Sequence, residues 1–388
     1  MRHTLLLVIL LPAPLLAGPK AGDEGTPEYQ AASDLVRRLG DAKFATREEA
    51  ARKLVDMGAA AVPALTAGTK STDEEVRTRS TALLPKAVAV GWKRRAEAFL
   101  ADPGAHRDLP LLAEWEKLTG TPDAGSRKLY AQVLVAQGPL LELAAADKKA
   151  GAAALAARAM ELPSVAPPGN KQVEVTAGDV AGILFAQAYL KVPIPPGASG
   201  GPSDPLYLLA KPATREALDD KEMGRAARRL VVGWYESRPA DDIWAGQYFA
   251  LLAYRGPFPE ADPILVRLAT KHNLVAIRVA AMEALGKAGS AAAVGALKRL
   301  LDDASAMHGD LNNKDAGHQV RDCALAALVR GSGKDPKAYK LNELASASLF
   351  FGGTADADTI TVRILGFATK ADREAGINKW KAEAAAKK

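Results

Sequence analysis

A short pattern recurs three times in this chain and constrains its fold more than any other feature of the sequence. In each copy Val or Ile precedes Arg, and small residues then lead to an Ala-Leu pair: Val76-Arg77 to Ala82-Leu83, Ile277-Arg278 to Ala284-Leu285, and Val320-Arg321 to Ala327-Leu328. The apolar residues recur at helical spacing, so each copy predicts a helix with Arg near its start. A fixed period of about 40–47 residues is typical of stacked helical hairpins, and the last two arginines lie 43 residues apart.

The amino-acid composition favours the same class of fold. Hydrophobic residues make up 48% of the chain but aromatic residues only 5%, so Ala, Leu and Val dominate. This balance suits helices that pack closely through small residues, whereas sandwich and barrel cores recruit more aromatic and β-branched residues. We therefore predict an all-α protein with at most one short strand, at Thr359–Phe367, where apolar and polar residues alternate.

The three copies resemble the second helix of a HEAT repeat, over about residues 41–90 and 262–330. The order of the segments along the chain also resembles that of exported bacterial HEAT-like proteins. This resemblance implies an α-α superhelix of HEAT-like helical hairpins, known as an α-solenoid, with a divergent middle and a short strand-plus-helix C-terminal cap. It also implies an adaptor role instead of a defined chemistry.

The resemblance further implies a role for particular polar residues. In HEAT proteins an Asp in the turn between the two helices and the Arg of the second helix help to connect neighbouring repeats. Asp73 and Arg77 match that arrangement, whereas Arg278 and Arg321 lack the Asp at the expected position. We therefore expect all three arginines to act on stability, and Arg77 to contribute most.

The chain divides into six predicted segments. They are a signal peptide (1–17), a linker (18–28), N-terminal HEAT-like hairpins (29–90), a divergent helical region (91–261) that contains a Pro/Gly loop at 193–205, C-terminal HEAT repeats (262–330) and a C-terminal cap (331–388). The loop lacks the Gly-Lys-Ser/Thr of a phosphate-binding loop, so a mobile linker is favoured over a binding loop. In the cap, a helix from Lys370 is expected to cover the end of the array.

The first residues have the features of an export signal. Arg2 gives a positive start, Leu5–Leu11 an apolar core, and Ala17 ends a plausible cleavage site. An uncleaved membrane anchor is the alternative, but the apolar run is short for a bilayer span. We expect a periplasmic or extracellular protein, cleaved near Ala17, whose mature chain has no membrane span.

The charge distribution argues against nucleic-acid binding, and the cysteine content argues against a reactive thiol. The formal net charge of +6 is spread along the chain, and the aromatic residues near its basic clusters, Trp92 and Trp234, fit helical apolar stripes. Nucleic-acid binding requires basic clusters with stacking aromatics on one face, so we predict no nucleic-acid partner. Cys323, the only cysteine, is predicted to be a buried structural thiol.

The residues that most resemble a metal or catalytic site lie in one insert, residues 304–318. His308, Asp310, Asp315 and His318 could together bind a divalent metal ion. The spacing does not fit a calcium loop, since the sixth position from Asp310 is not Gly. Short polar inserts are more often solvated loops, so we predict no metal and no cofactor.

The function predicted from these observations is that of a non-catalytic exported scaffold or adaptor. It would bind a protein or polymer partner on the surface of its solenoid. Two alternatives remain open at this point: a metal-dependent or hydrolytic enzyme that uses the 304–318 insert, and a subunit of a larger envelope assembly. The chain has no Gly-x-Ser-x-Gly, His-Glu-x-x-His or dinucleotide-binding motif, which weighs against an enzyme.

Overall fold

The computed structural model describes residues 25–120, 122–162, 175–192, 205–239, 242–307, 319–350 and 359–386. These residues are mainly helical, which confirms the predicted all-α class. The chain forms two compact units: an N-terminal unit of Met1–Arg158 with Thr176–Val192, and a C-terminal unit of Ala159–Val175 with Pro193–Lys388. The predicted signal peptide, most of the Pro/Gly loop and most of the polar insert lie outside the described residues.

The N-terminal unit is built from helices that pack in series. Its helices are α1 (Pro27–Arg38), α2 (Phe44–Met57), α3 (Val62–Gly68), α4 (Glu74–Ala101), α5 (Leu112–Thr119), α6 (Ala124–Ala146), α7 (Lys148–Glu161, most of which lies in this unit) and α8 (Ala177–Leu190). The first two hairpins, α1–α2 and α3–α4, stack as predicted, with α1 on α3 and α2 on α4. The series continues through α6 and α8, so this part of the divergent region also stacks helix on helix.

Turn chemistry sets where these helices begin and end. The Asp73 carboxylate accepts a hydrogen bond from the Val76 amide at 3.0 Å and so caps the start of α4. Gly58, with a φ of 61°, ends α2. Helix α2 begins at Phe44, and its N-cap residue Lys43 forms no side-chain capping bond. The guanidinium of Arg47 satisfies the carbonyls of Asp41 and Ala42 in the preceding turn.

Helix α6 is long and apolar enough to cross a membrane by length and composition alone. In the structure 56% of its apolar window is buried inside the protein, where it contacts α4 and α8. Its backbone leaves helical geometry at Gln137, just before Gly138 and Pro139. At Gly138 it lies against the Trp92 ring so closely that a Cβ atom would overlap it. These contacts are those of a core helix in a folded unit.

The C-terminal unit contains the two best copies of the sequence pattern. Its described elements are α9 (Pro212–Asp219), α10 (Gly224–Glu236), α11 (Ile243–Arg255), α12 (Asp262–Lys271), α13 (Val275–Ala288), α14 (Ala291–Leu300), α15 (Val320–Gly331), β1 (Asn342–Phe350), β2 (Thr359–Gly366) and α16 (Lys370–Ala385). Helices α12–α13 and α14–α15 form hairpins, and α11, α13 and α15 contact one another in succession. Residues 262–330 are therefore built mainly from helical hairpins in the part that the structure describes.

The cap contains a two-stranded sheet, so the expectation of at most one strand is wrong. Strand β2 lies where the alternation predicted it, and β1 pairs with it antiparallel, with Asn342 opposite Gly366 and Ser346 opposite Arg363. A lone strand would leave its backbone donors and acceptors unpaired, so β2 requires a partner. The Ala- and Ser-rich sequence of β1 has weak strand propensity and gave no signal of its own.

Small residues allow the second helices of the C-terminal unit to approach backbone to backbone. A Cβ atom at Gly286 of α13 would overlap the carbonyl group of Ala327 in α15. A Cβ atom at Gly331 would likewise overlap the carbonyl group of Gly286. Both glycines are therefore required by the packing of α13 on α15.

Replacement of Gly286 by Ala is expected to destabilise the protein by about 1–3 kcal/mol, because the added methyl group separates the two helices. The matched control is Gly295→Ala in the middle of α14, where the nearest atom to an added Cβ is the Arg299 guanidinium at 3.8 Å. That control should stabilise the protein by about 0.5–1 kcal/mol through helix propensity. Urea unfolding of both variants measures the difference, and equal effects of the two substitutions would contradict the packing described here.

Candidate functional site

The three arginines of the repeated pattern each contact a polar group near the start of their own helix. Arg278 donates from Nε to the carbonyl oxygen of Ala269 at 2.9 Å, in the last turn of α12. Arg77 donates to the Ser71 carbonyl oxygen at 3.0 Å, and Arg321 to the Gln319 side chain at 2.6 Å. The bonds of Arg77 and Arg278 close the turn within one hairpin and satisfy carbonyl groups that the preceding helix or turn leaves unpaired. The bond of Arg321 stays within the first turn of its own helix.

The expected contact between Asp73 and Arg77 is not formed. The Asp73 carboxylate caps the helix at Val76, and the exposed guanidinium of Arg77 turns back to a carbonyl group. An Asp at the N-cap gains more from the free amides of its own helix than from an exposed cation. Asp73 and Arg77 thus each form a local bond. Because the bond of Arg77 is exposed to water, we expect it to contribute less to stability than the sequence suggested.

A second set of cations connects neighbouring second helices in the C-terminal unit. Arg330 of α15 donates to the Glu283 carboxylate of α13 at 2.8 Å. Lys287 occupies the equivalent position one repeat earlier, at the same 43-residue spacing, and donates to the Tyr254 carbonyl oxygen of α11 at 3.0 Å. Burial raises the pKa of the Glu283 carboxyl, against the opposing effect of Arg330. The sequence pattern drew attention to the wrong cations, since these two form the ladder between repeats.

The N-terminal unit has a comparable connection between α2 and α4. Arg79 contacts the Glu48 carboxylate of α2 at 2.8 Å while it also pairs with Glu75 on its own helix at 2.6 Å. Both carboxylates are about half exposed to water, so each pair contributes little free energy. The connection nevertheless repeats the arrangement of the C-terminal unit, in which a basic residue of one second helix reaches the helix before it.

A buried ion pair joins the C-terminal helix to the last repeat. Arg373 of α16 donates from Nε and Nη2 to the two carboxylate oxygens of Asp322 in α15, at 2.8 and 3.1 Å. The side chains are 2% and 0% exposed. Burial raises the pKa of Asp322, and the guanidinium opposes that rise. The same carboxylate accepts the Gln319 amide, so it also caps α15. Sequence reasoning missed this pair.

An exposed apolar cluster lies where the starts of α11 and α13 meet, and we call Ile243, Trp244, His272 and Leu274 the His272 patch. The imidazole of His272 accepts the Leu274 amide at 3.1 Å and also hydrogen-bonds the Ile243 backbone. Burial lowers its pKa, which favours the neutral ring. Trp244 is 62% exposed, and Ile243 and Leu274 are each 42% exposed. Large apolar side chains that gather at a surface mark interaction sites.

The other candidate residues have local or untested roles. Asp242 caps α11 by accepting the Ala245 amide at 2.9 Å, and it pairs with Arg238. Cys323 is buried, as predicted, and burial raises the pKa of its thiol. The proposed metal ligands His308, Asp310, Asp315 and His318 lie outside the described residues. Elsewhere, in the part of the chain that the structure describes, no group of three or more His, Cys, Asp or Glu residues could hold a metal ion.

Residues 277–303 match the family described as PBS lyase HEAT-like repeat. The matched segment begins at Ile277-Arg278, the second copy of the recurring pattern, and includes most of α13 and all of α14. The chain therefore contains a HEAT-like repeat. The resemblance drawn from the sequence is thereby confirmed for the repeat itself. No curated protein matches this chain.

The contacts of the three arginines predict an order of effects on stability. Arg278→Ala should cost the most, about 1–2 kcal/mol, because its bond is partly buried and leaves the Ala269 carbonyl group unpaired when lost. Arg77→Ala should cost less than about 1 kcal/mol, since its bond is exposed to water. Thermal unfolding of the two variants and of Arg321→Ala measures the order. A larger loss for Arg77→Ala would restore the role that the sequence assigned to it.

Proposed function

We propose that this HEAT-like protein is an exported, non-catalytic scaffold that binds a protein partner through its C-terminal repeats. The observation that carries this proposal is the His272 patch, which exposes a Trp, an Ile and a Leu at adjoining helix starts. Trp side chains are enriched among the residues that dominate binding energy at protein interfaces. HEAT repeats typically mediate protein interactions, which supports the same reading.

The rigid setting of the patch supports a binding role. Ile243 and Trp244 begin α11, and Leu274 is the N-cap of α13, so each stands on or beside a helix end fixed by core contacts. His272 hydrogen-bonds the backbone on both sides, and Gly246 leaves no space between its ring and α11. A preorganised apolar surface loses little side-chain entropy on binding, which favours affinity.

Export of the protein is part of the proposal and depends on residues 1–17 alone. The positive start, the short apolar core and Ala17 support a cleaved signal. Intact-mass measurement of the protein recovered from the envelope fraction tests this directly. We expect loss of the segment up to Ala17, and full-length chain retained in the cytoplasm would contradict export.

The partner proposal is tested with two matched substitutions of exposed aromatic residues. Trp244→Ser removes the most exposed large apolar side chain of the His272 patch, and Phe44→Ser removes a side chain that is 64% exposed in the N-terminal unit. Each variant and the wild type are crosslinked to envelope extract, the captured partner is purified, and its affinity is measured by calorimetry. Loss of this Trp side chain should weaken binding by about tenfold or more, while Phe44→Ser should leave it unchanged.

The outcomes separate the proposed function from its alternatives. Equal affinity of the partner for wild type and Trp244→Ser would show that the patch does not bind it. Co-purification of the protein in one stable envelope complex, insensitive to both substitutions, would favour the alternative of an assembly subunit. Unchanged melting temperatures of both variants serve as the folding control, because both side chains are exposed and contribute little to the core.

A further inference from the structure

A cavity of about 350 Å³ lies between the last two repeats and the C-terminal helix. Its walls come from α13, α14, α15 and α16, all of which belong to the C-terminal unit. Three glycines, Gly286, Gly289 and Gly331, line it, and open space surrounds the position that a Cβ atom would take at Gly289. Small-molecule sites in proteins have volumes of about 300–1,000 Å³, so this cavity has the size for a small ligand.

The position of α16 keeps the cavity open. The Asp322–Arg373 ion pair fixes the beginning of the helix, and Lys381 pairs with Asp302, next to the end of α14, at 3.0 Å. Between these two attachments the Trp380 ring lines the cavity and remains only half-buried. Val294 and Leu328 provide apolar surface in the same cavity. The body of a ligand that fits here must therefore be apolar.

The charges at the cavity favour an anionic ligand over a neutral one. Lys334 and Glu383 pair with each other, and the Lys334 ammonium also donates to the Tyr339 hydroxyl at 2.9 Å. The ammonium of Lys298 lies over the Trp380 ring, 5.8 Å from the ring centroid. Among the described residues it has no carboxylate partner. One unpaired ammonium beside an apolar wall is complementary to a single negative charge on an apolar body.

We propose that this cavity binds a small aliphatic carboxylate, with the carboxylate on Lys298 and the hydrocarbon against Trp380, Val294 and Leu328. The proposal is independent of the partner surface at the His272 patch. The limited volume favours a small molecule over a folded domain. The ammonium of Lys298 would donate a charge-assisted hydrogen bond, the kind that contributes most to recognition of a carboxylate.

Calorimetric titration of the full chain with sodium octanoate, below the concentration at which it forms micelles, tests the proposal. Octanamide is the neutral probe of nearly the same shape. We expect one octanoate per chain, and binding of octanamide weaker by about tenfold or more, because a charge-assisted bond is worth about 1.5–3 kcal/mol. Lys298→Gln should reduce octanoate affinity by a similar factor, and Lys298→Arg should retain most of it.

The matched control is Arg299→Gln, which removes an exposed cation next to Lys298 on α14 that does not line the cavity. It should bind octanoate like the wild type. Trp380→Leu should weaken octanoate and octanamide alike, because it changes the apolar wall and not the charge. No binding by the wild type, equal binding of both probes, or an equal loss in Lys298→Gln and Arg299→Gln would each overturn the assignment.

Discussion

The buried ion pair between Asp322 and Arg373 is the interaction on which the C-terminal unit depends. It joins the first turn of α15 to α16 across 51 residues of chain, through two hydrogen bonds that water does not reach. The same carboxylate caps α15 through the Gln319 amide. A single side chain thus begins the last repeat helix and holds the helix that covers it. Without that attachment α16 would lose its fixed position over the cavity.

The C-terminal unit also depends on small residues, as well as on the ion pair. Gly286 and Gly331 allow α13 and α15 to pack backbone against backbone, which brings Arg330 within hydrogen-bond distance of Glu283. Both glycines also line the cavity beside α16. The close packing of α13 on α15 and the contact between Arg330 and Glu283 therefore share one cause. In a HEAT-like array each repeat stabilises mainly its neighbours, so these local contacts decide how the unit holds together.

Local features of this fold could be predicted from the sequence, whereas contacts between distant residues could not. Helical spacing predicted a helix at each copy of the recurring pattern, and the three copies lie in α4, α13 and α15. The partners of Arg330 and Arg373 lie 47 and 51 residues away, and only the packing of the helices brings them together. Strand β1 was missed for a similar reason, because its Ala- and Ser-rich residues extend only through pairing with β2.

The His272 patch illustrates the same limit. In the sequence, Ile243 and Trp244 have the pattern of an ordinary amphipathic helix start. They become part of one surface only because α11 approaches the turn before α13. The sequence could therefore predict a HEAT-like scaffold but not the residues that would contact a partner. The cavity also could not be predicted from the sequence, because its residues come from four helices and their adjoining turns, between Gly286 and Ala384.

A double-mutant cycle on Asp322 and Arg373 tests the central claim most directly. Urea unfolding at neutral pH is compared for wild type, Asp322→Asn, Arg373→Met and the double variant. We predict that each single substitution costs about 3–5 kcal/mol, because it leaves a buried polar partner unpaired, and that the double variant costs far less than the sum. Additive losses, or single losses below about 1 kcal/mol, would show that the pair does not hold the C-terminal helix to the last repeat.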